Sequence, residues 1–243
     1  MDIRIIRHER ASAPTTRLFS FPHIGGGPAM FAGWAQVLRS PVELCVPLLP
    51  GRERAFDQAP FTDIEEMCAA LRDAIAPLMD VPSVFFGDCF GGLVAFHLTH
   101  LLQGGGPRPE KLIVYGLGAP HVTTREEAGY PRSDALVGEL REYLKRAGDT
   151  DPALLDDPDW METLEPSIRG DLAVTESFHH QHGPPLSTPI AVIAEPQAKK
   201  VIDEFAAWAE LTESAFSMRL LPSGPKHWKR LAEAVDREIA QPG

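Results

Sequence analysis

A cysteine stands between two glycines at the spacing of a nucleophile turn. Gly87, Cys89 and Gly91 in "FFGDCFGG" carry a thiol where this pattern usually carries a serine. The glycines have a steric reason. A strand that turns sharply into a helix holds its nucleophile in a strained backbone conformation, and side chains two residues to either side collide unless they are absent. At the start of the helix the macrodipole favours a thiolate, and the first backbone amides can stabilise an oxyanion. The plainer reading is a buried structural cysteine in a glycine-rich turn. Such a nucleophile needs a second oxyanion amide and a base. "FPHIGGGPAMFAGW" follows the apolar run "RLFSF", so the Ile24 amide can pair with that of Phe90. The alternative for this loop is a glycine turn leading into a helix. His23 in this loop and Asp88 beside the cysteine are the polar groups expected near the nucleophile. His227 in "PSGPKHWKRL" follows the last predicted strand and opens the last predicted helix, alone among the nine histidines. His97 and His100 fall on the helix behind the nucleophile and read as packing or surface residues. "HHQH" at 179–182 raises a metal site, but no carboxylate or cysteine recurs at ligand spacing, so it reads as a surface cluster.

The frame for these residues comes from periodicity. Short apolar runs at 17–21, 42–47, 83–87, 112–116, 189–194 and 216–221 read as buried strands. Between them lie helical patterns such as "TDIEEMCAALRDAIAPL", capped by Asp63 or Thr62, "GGLVAFHLTHLL", "DEFAAWAEL" and "HWKRLAEAVDREIA". Strands alternating with helices imply crossover connections, hence a mostly parallel sheet with helices on both faces. The nucleophile precedes the histidine, as in the α/β-hydrolases. The expectation is therefore one α/β domain over residues 1–243 with the α/β-hydrolase fold. The rhythm breaks once: from about residue 120 to 186 only helical pieces occur, and an insertion of that size builds a lid.

Composition narrows the classes further. With 243 residues, 44% hydrophobic and 23% charged, the chain suits an ordinary soluble domain. No apolar run approaches the roughly 18 residues of a membrane span, and "MDIRIIRHER" lacks the apolar stretch of a signal peptide, so a cytoplasmic location is expected. Three cysteines at unrelated spacings argue against a disulfide framework or a zinc knuckle. A formal charge of -11 argues against a nucleic-acid partner, because phosphate binding relies on lysine and arginine.

Taken together, these stretches resemble the type II thioesterases, stand-alone α/β-hydrolases of polyketide and nonribosomal peptide assembly. "FPHIGGGPAMFAGW" resembles the family's FPxAGG opening, and "LPGRERAFDQAPFTDIEEM" is similar to its LPGRE stretch followed by PxTD. "FFGDCFGGLVAFHL" stands where members carry FGHSxGxxxAFEL, while "LIVYGLGAPH" and "LEPSIRGDLAVTESF" resemble its post-nucleophile strand and lid. The resemblance implies a carrier-protein partner, acyl or peptidyl, that presents its acyl group as a phosphopantetheine thioester. No bound cofactor or metal, no nucleic acid and no membrane are expected, and the lid, with Trp160 and Phe178, is expected to set acyl size.

Three departures matter. Serine is Cys89, the histidine before it is Asp88, and the family's acid has no counterpart in "IAVIAEPQAKKVIDEFAAW", where its place falls near Gln197 or Ala198. Glu195, Gln197 and Asp203 are the candidates to orient His227. A thiol ionises more readily than a hydroxyl and needs less help from a carboxylate. Moving an acyl group from one thiol to another is nearly balanced and keeps it activated. The expected chemistry is therefore acyl transfer through a Cys89 thioester to another thiol or an amine. Editing hydrolysis and a non-catalytic carrier-docking module are the alternatives. The basic residues Lys199, Lys200, Lys226, Lys229 and Arg230 are expected to rim the mouth of the site, where late loops gather at the carboxyl edge of such a sheet.

Overall fold

A computed structural model of the chain describes residues 3–8, 13–39, 41–125, 127–147, 150, 152–180, 183–195, 199–222 and 227–241. One sheet of seven strands forms its centre in the order β1-β3-β2-β4-β5-β6-β7. The strands are β1 (Arg4–His8), β2 (Thr16–Phe21), β3 (Val42–Leu48), β4 (Ser83–Asp88), β5 (Lys111–Tyr115), β6 (Ile190–Ala194) and β7 (Phe216–Leu220). The six runs read from the sequence are β2 to β7, and every pairing among them is parallel. The edge strand β1 was not expected. It pairs antiparallel with β3, and its burial alternates only weakly, as suits a sheet edge.

Both faces of the sheet are covered because the strands are apolar on both sides. Phe19, Phe85 and Val114 point into a core shared with α1 (Ile64–Ile75) and α2 (Phe90–Gln103). The alternate residues Leu18, Phe86 and Ile113 point the other way. Phe86 is fully buried beneath Phe31 and Trp34, so truncating it to alanine costs about 3–5 kcal/mol. Helix α1 starts where Asp63 accepts hydrogen bonds from the Glu65 and Glu66 amides, one of the two caps expected.

Among the described residues between β5 and β6 are three helices, α3 (Val137–Ala147), α4 (Pro152–Leu155) and α5 (Pro158–Ser177). Helix α5 packs against α1 and α2, and its buried residues Ile168 and Leu172 join the same core. After β6 come α6 (Lys199–Ala206) and, beyond β7, α7 (His227–Ala240). The far end of α7 is pinned by Lys111, whose ammonium donates to the carbonyls of Glu238 and Gln241 at 2.8 and 2.9 Å. Its near end carries His227. Among the described residues no helix is long and apolar enough to cross a membrane.

Candidate active site

Cys89 caps α2 at the carboxyl end of β4 with φ 52° and ψ -111°, a left-handed backbone that non-glycine residues adopt only under constraint. The constraint is visible in its neighbours. A Cβ on Gly87 would lie 2.3 Å from the Gly91 carbonyl oxygen, and one on Gly91 would lie 2.0 Å from that of Phe21. Neither position admits a side chain, because backbone cannot give way there. The Cys89 amide donates to the Tyr115 carbonyl on β5 at 2.8 Å, and Phe90 opens the helix, so its amide has no acceptor within it. The half-buried sulfur sits 3.0 Å from the Tyr130 hydroxyl. Burial pushes the Tyr130 phenol well above the usual tyrosine range, and the adjacent Cys89 adds to the shift. The phenol therefore stays protonated at neutral pH and is able to donate to a thiolate at Cys89.

The glycine-rich loop lies opposite. Gly25 takes φ +73°, and its amide donates to Asp171 Oδ2 at 2.8 Å. Asp171 comes from α5 and forms a buried, two-point ion pair with Arg52 at 2.7 and 3.1 Å. The same guanidinium donates to the Gly26 carbonyl at 2.8 Å, and Glu53 accepts from the Ala29 amide at 2.9 Å. Arg52 and Glu53 belong to the "LPGRE" stretch, which thus clamps the loop to α5. His23 turns its Nδ1–H onto the Ile24 carbonyl at 2.9 Å, while Gly25 and Gly26 use their amides on Asp171 and the His23 carbonyl. Neither contact takes the Ile24 amide.

His227 shares one cavity of about 450 Å³ with Cys89, Asp88, Tyr115, Tyr130 and Glu195. Its Nε2 lies 3.6 Å from Glu195 Oε1, too far for a hydrogen bond. The Tyr115 hydroxyl fills the gap, 2.9 Å from that oxygen and 2.8 Å from Nε2. Of the three orienting candidates, Glu195 thus reaches the neighbourhood of the imidazole. Asp203 is exposed on α6 and lines no part of this cavity, and Gln197 lies outside the described residues. A second cavity, about 350 Å³, shares Ala128 and Tyr130 with the first and is lined by Leu93, Leu117 and Phe178. Trp160 packs against the core instead.

Two of the five residues expected at the basic rim do not line the Cys89 cavity. Lys229 lines a separate cavity of about 620 Å³ beside Trp34 and Trp228. The reason is helical geometry: two residues past His227 is roughly 200° around α7, facing away. Arg230 also lines no part of the Cys89 cavity, and its Nε and Nη2 are buried. Lys199 and Lys200 begin α6, though their side chains, like all of Lys226, lie outside the described residues. The cation that does line the cavity is Arg146, from α3. Among the described residues no cluster of histidine, cysteine or carboxylate could hold a metal. His180 of the histidine-rich stretch stacks on Phe96.

Four contributors went unread in the sequence: Tyr115, Tyr130, Arg52 and Asp171. Tyr115 had a positional signal, being the polar-tipped last residue of the strand beside the nucleophile strand, where sites in parallel sheets gather. Tyr130 lies in a loop with no periodicity to mark it.

A strained thiol at a strand-to-helix turn, a clamped glycine loop and an imidazole in one cavity form an arrangement suited to acyl chemistry. Known proteins resemble the chain along most of their length. The chain is 28% identical over 213 residues to the gramicidin S biosynthesis protein GrsT of Aneurinibacillus migulanus, covering 87% of this chain and 82% of that one. It superimposes on RedJ, a thioesterase of the prodiginine pathway in Streptomyces coelicolor, with a TM-score of 0.84 and 27% identity, over 93% and 91% of the two chains. The type II thioesterase BorB, from the borrelidin biosynthetic cluster, gives 0.81 and 26% over 98% and 96%. With residues 16–240 matching the thioesterase domain family along the same stretch that carries sheet, loop and elbow, this chain belongs to that family.

Proposed function

We propose that this protein is a type II thioesterase-like enzyme of polyketide or nonribosomal peptide biosynthesis in which Cys89 is the nucleophile and His227 its base. The acyl group of a carrier-bound phosphopantetheine thioester passes to the sulfur, with the amides of Ile24 and Phe90 holding the oxyanion. Relatives in such pathways, GrsT and BorB among them, support the setting. The observation that carries the chemistry is the strained backbone of Cys89 at φ 52°, with its sulfur in the cavity that His227 also lines. The helices between β5 and β6 act as a lid, and the cavity behind Tyr130, with Phe178 in its wall, takes the acyl chain. An acyl or peptidyl carrier protein is the partner, and its phosphopantetheine arm is the only prosthetic group involved. Lys199, Lys200 and Lys226, joined by Arg146, form the basic rim that meets it.

The acyl group then leaves for another carrier thiol or an amine instead of water. A carboxylate held 3.6 Å from the imidazole is a poor arrangement for activating a hydroxyl, and a thiol tolerates it. Thioester exchange also keeps the acyl group activated. The test is a chase: load the protein from an acyl carrier, remove the donor, then add a second carrier or an amine. Transfer predicts an adduct stable without an acceptor and discharged onto the one supplied. Prompt release of free acid without an acceptor makes the enzyme an editing hydrolase.

A further inference from the structure

We infer that Tyr115 is a positioning residue that joins Glu195 to His227 and fixes Nδ1, not Nε2, as the basic nitrogen. This rests on the reading of Cys89 and His227 as a catalytic pair. Tyr115 Oη lies 2.9 Å from Glu195 Oε1 and 2.8 Å from His227 Nε2, while the carboxylate and the ring are 3.6 Å apart. A phenol has one proton, and an ionised carboxylate can only accept. The Tyr115 proton therefore points to Glu195, and the phenol oxygen is left to accept from the ring. Nε2 must then carry the hydrogen. A neutral imidazole has one N–H, so Nδ1 holds the lone pair.

An independent observation agrees. His227 Nδ1 is buried and has no hydrogen-bond partner among the described residues, so no acceptor there would hold the hydrogen on Nδ1. The usual histidine of a triad is turned the other way, with Nδ1–H on the carboxylate and Nε2 as base. Tyr115 is built to set this orientation. Its ring lies 5.6 Å from the imidazole, tilted by 38°, and its carbonyl accepts from the Cys89 amide. It stands opposite Asp88 in the β4–β5 ladder. One residue thus locates both the turn that carries the sulfur and the ring that receives its proton. Among the described residues Nδ1 has no partner within hydrogen-bond distance, the sulfur included, so the sulfur must close on the ring before it gives its proton to Nδ1 and thiolate and imidazolium form. The chain from Nε2–H through the phenol to Glu195 stays intact and transfers no proton along itself. The negative end of that chain stabilises the imidazolium at one remove. Asp88, Cys89, Tyr130, Tyr143, Arg146 and Glu195 are the other titratable and charged groups lining the cavity.

The test uses the full chain with nitrogen-15-labelled histidine, with His227 assigned by comparison with His227→Gln. Long-range proton–nitrogen correlation at a pH where the ring is neutral should show the Nε2–H tautomer. Tyr115→Phe keeps the ring and loses the hydroxyl. It should abolish that preference, because the oxygen that accepts from Nε2–H is gone. In turnover of a small thioester, Tyr115→Phe should lower kcat roughly 10- to 100-fold with little change in KM. An Nδ1–H tautomer in the unaltered protein, or a tautomer unmoved by Tyr115→Phe, overturns the inference, even if the variant melts lower. The resonance measurements need no substrate, so they are decided separately from whether Cys89 becomes acylated, which intact mass reads.

Discussion

Replacing Asp171 with asparagine strikes the joint between the glycine-rich loop and α5. The Arg52 and Asp171 side chains are 3% and 1% exposed, and their closest atoms are 2.7 Å apart. Asparagine keeps the shape but removes the charge, leaving a guanidinium buried without its counter-ion, at a cost of about 3–5 kcal/mol. For a domain of this size each kcal/mol moves Tm by roughly 2–4 °C, so the fall should be about 6–20 °C. Stability alone does not show that the pair positions the loop. The double variant Arg52→Met, Asp171→Leu replaces the ion pair by apolar groups, which is often close to neutral for stability. It should melt above Asp171→Asn. It still leaves the Gly25 amide and the Gly26 carbonyl without the partners they have now. A displaced oxyanion amide lowers kcat by about 100-fold or more, so turnover should stay low in both variants. The assay is thermal unfolding by circular dichroism beside release of thiol from a small acyl thioester. A single variant within about 2 °C of the parent would refute the burial argument. A double variant that regains both stability and turnover would refute the positioning role.

Cys89→Ser should lose at least about tenfold in acylation rate, because a hydroxyl relies on the imidazole more than a thiol does, and any ester formed should resist discharge to a carrier thiol. Stopped-flow acylation and intact mass read both. Tyr130→Phe removes the hydroxyl 3.0 Å from the sulfur, and alkylation of Cys89 by iodoacetamide at neutral pH should slow. Alkaline stability tests Tyr130 differently. The folded protein holds that proton above the unfolded value of about 10, the unfolded chain releases it first, and stability should fall as pH rises past 10. Chemical denaturation should show a shallower fall in Tyr130→Phe. Charge reversal at Lys199 and Lys200 should raise KM for a carrier-borne substrate and leave a small thioester unaffected; equal effects on both would remove these lysines from the rim.

Much of the fold was legible because the interior strands are apolar on both faces. Val42–Leu48 and Ser83–Asp88 are buried along their whole length, and such runs stand out against amphipathic helices. The edge strand Arg4–His8 has three basic residues in five and no continuous apolar face, so periodicity passed over it. The strained turn was readable since only glycine fits at 87 and 91. The link from Glu195 to His227 was not, because it runs through Tyr115, 80 positions from the one and 112 from the other. Sequence spacing points to carboxylates near the histidine but cannot reveal a phenol inserted between them. Lys229 misled for a related reason: proximity in a loop-to-helix stretch says little about which side of a helix a residue takes. The "LPGRE" stretch was recognisable as a motif, while its work as a clamp needed the partner Asp171, which comes from a distant helix.

The nucleophile is tested most directly by mixing the protein with an acyl carrier substrate, quenching within seconds, and mapping the added mass by peptide sequencing. The prediction is one acyl group on the peptide containing Cys89, absent from that containing Cys45 or Cys68, and neither adduct nor turnover in Cys89→Ala. Undiminished thioester turnover in Cys89→Ala, or acylation at another residue, would contradict it.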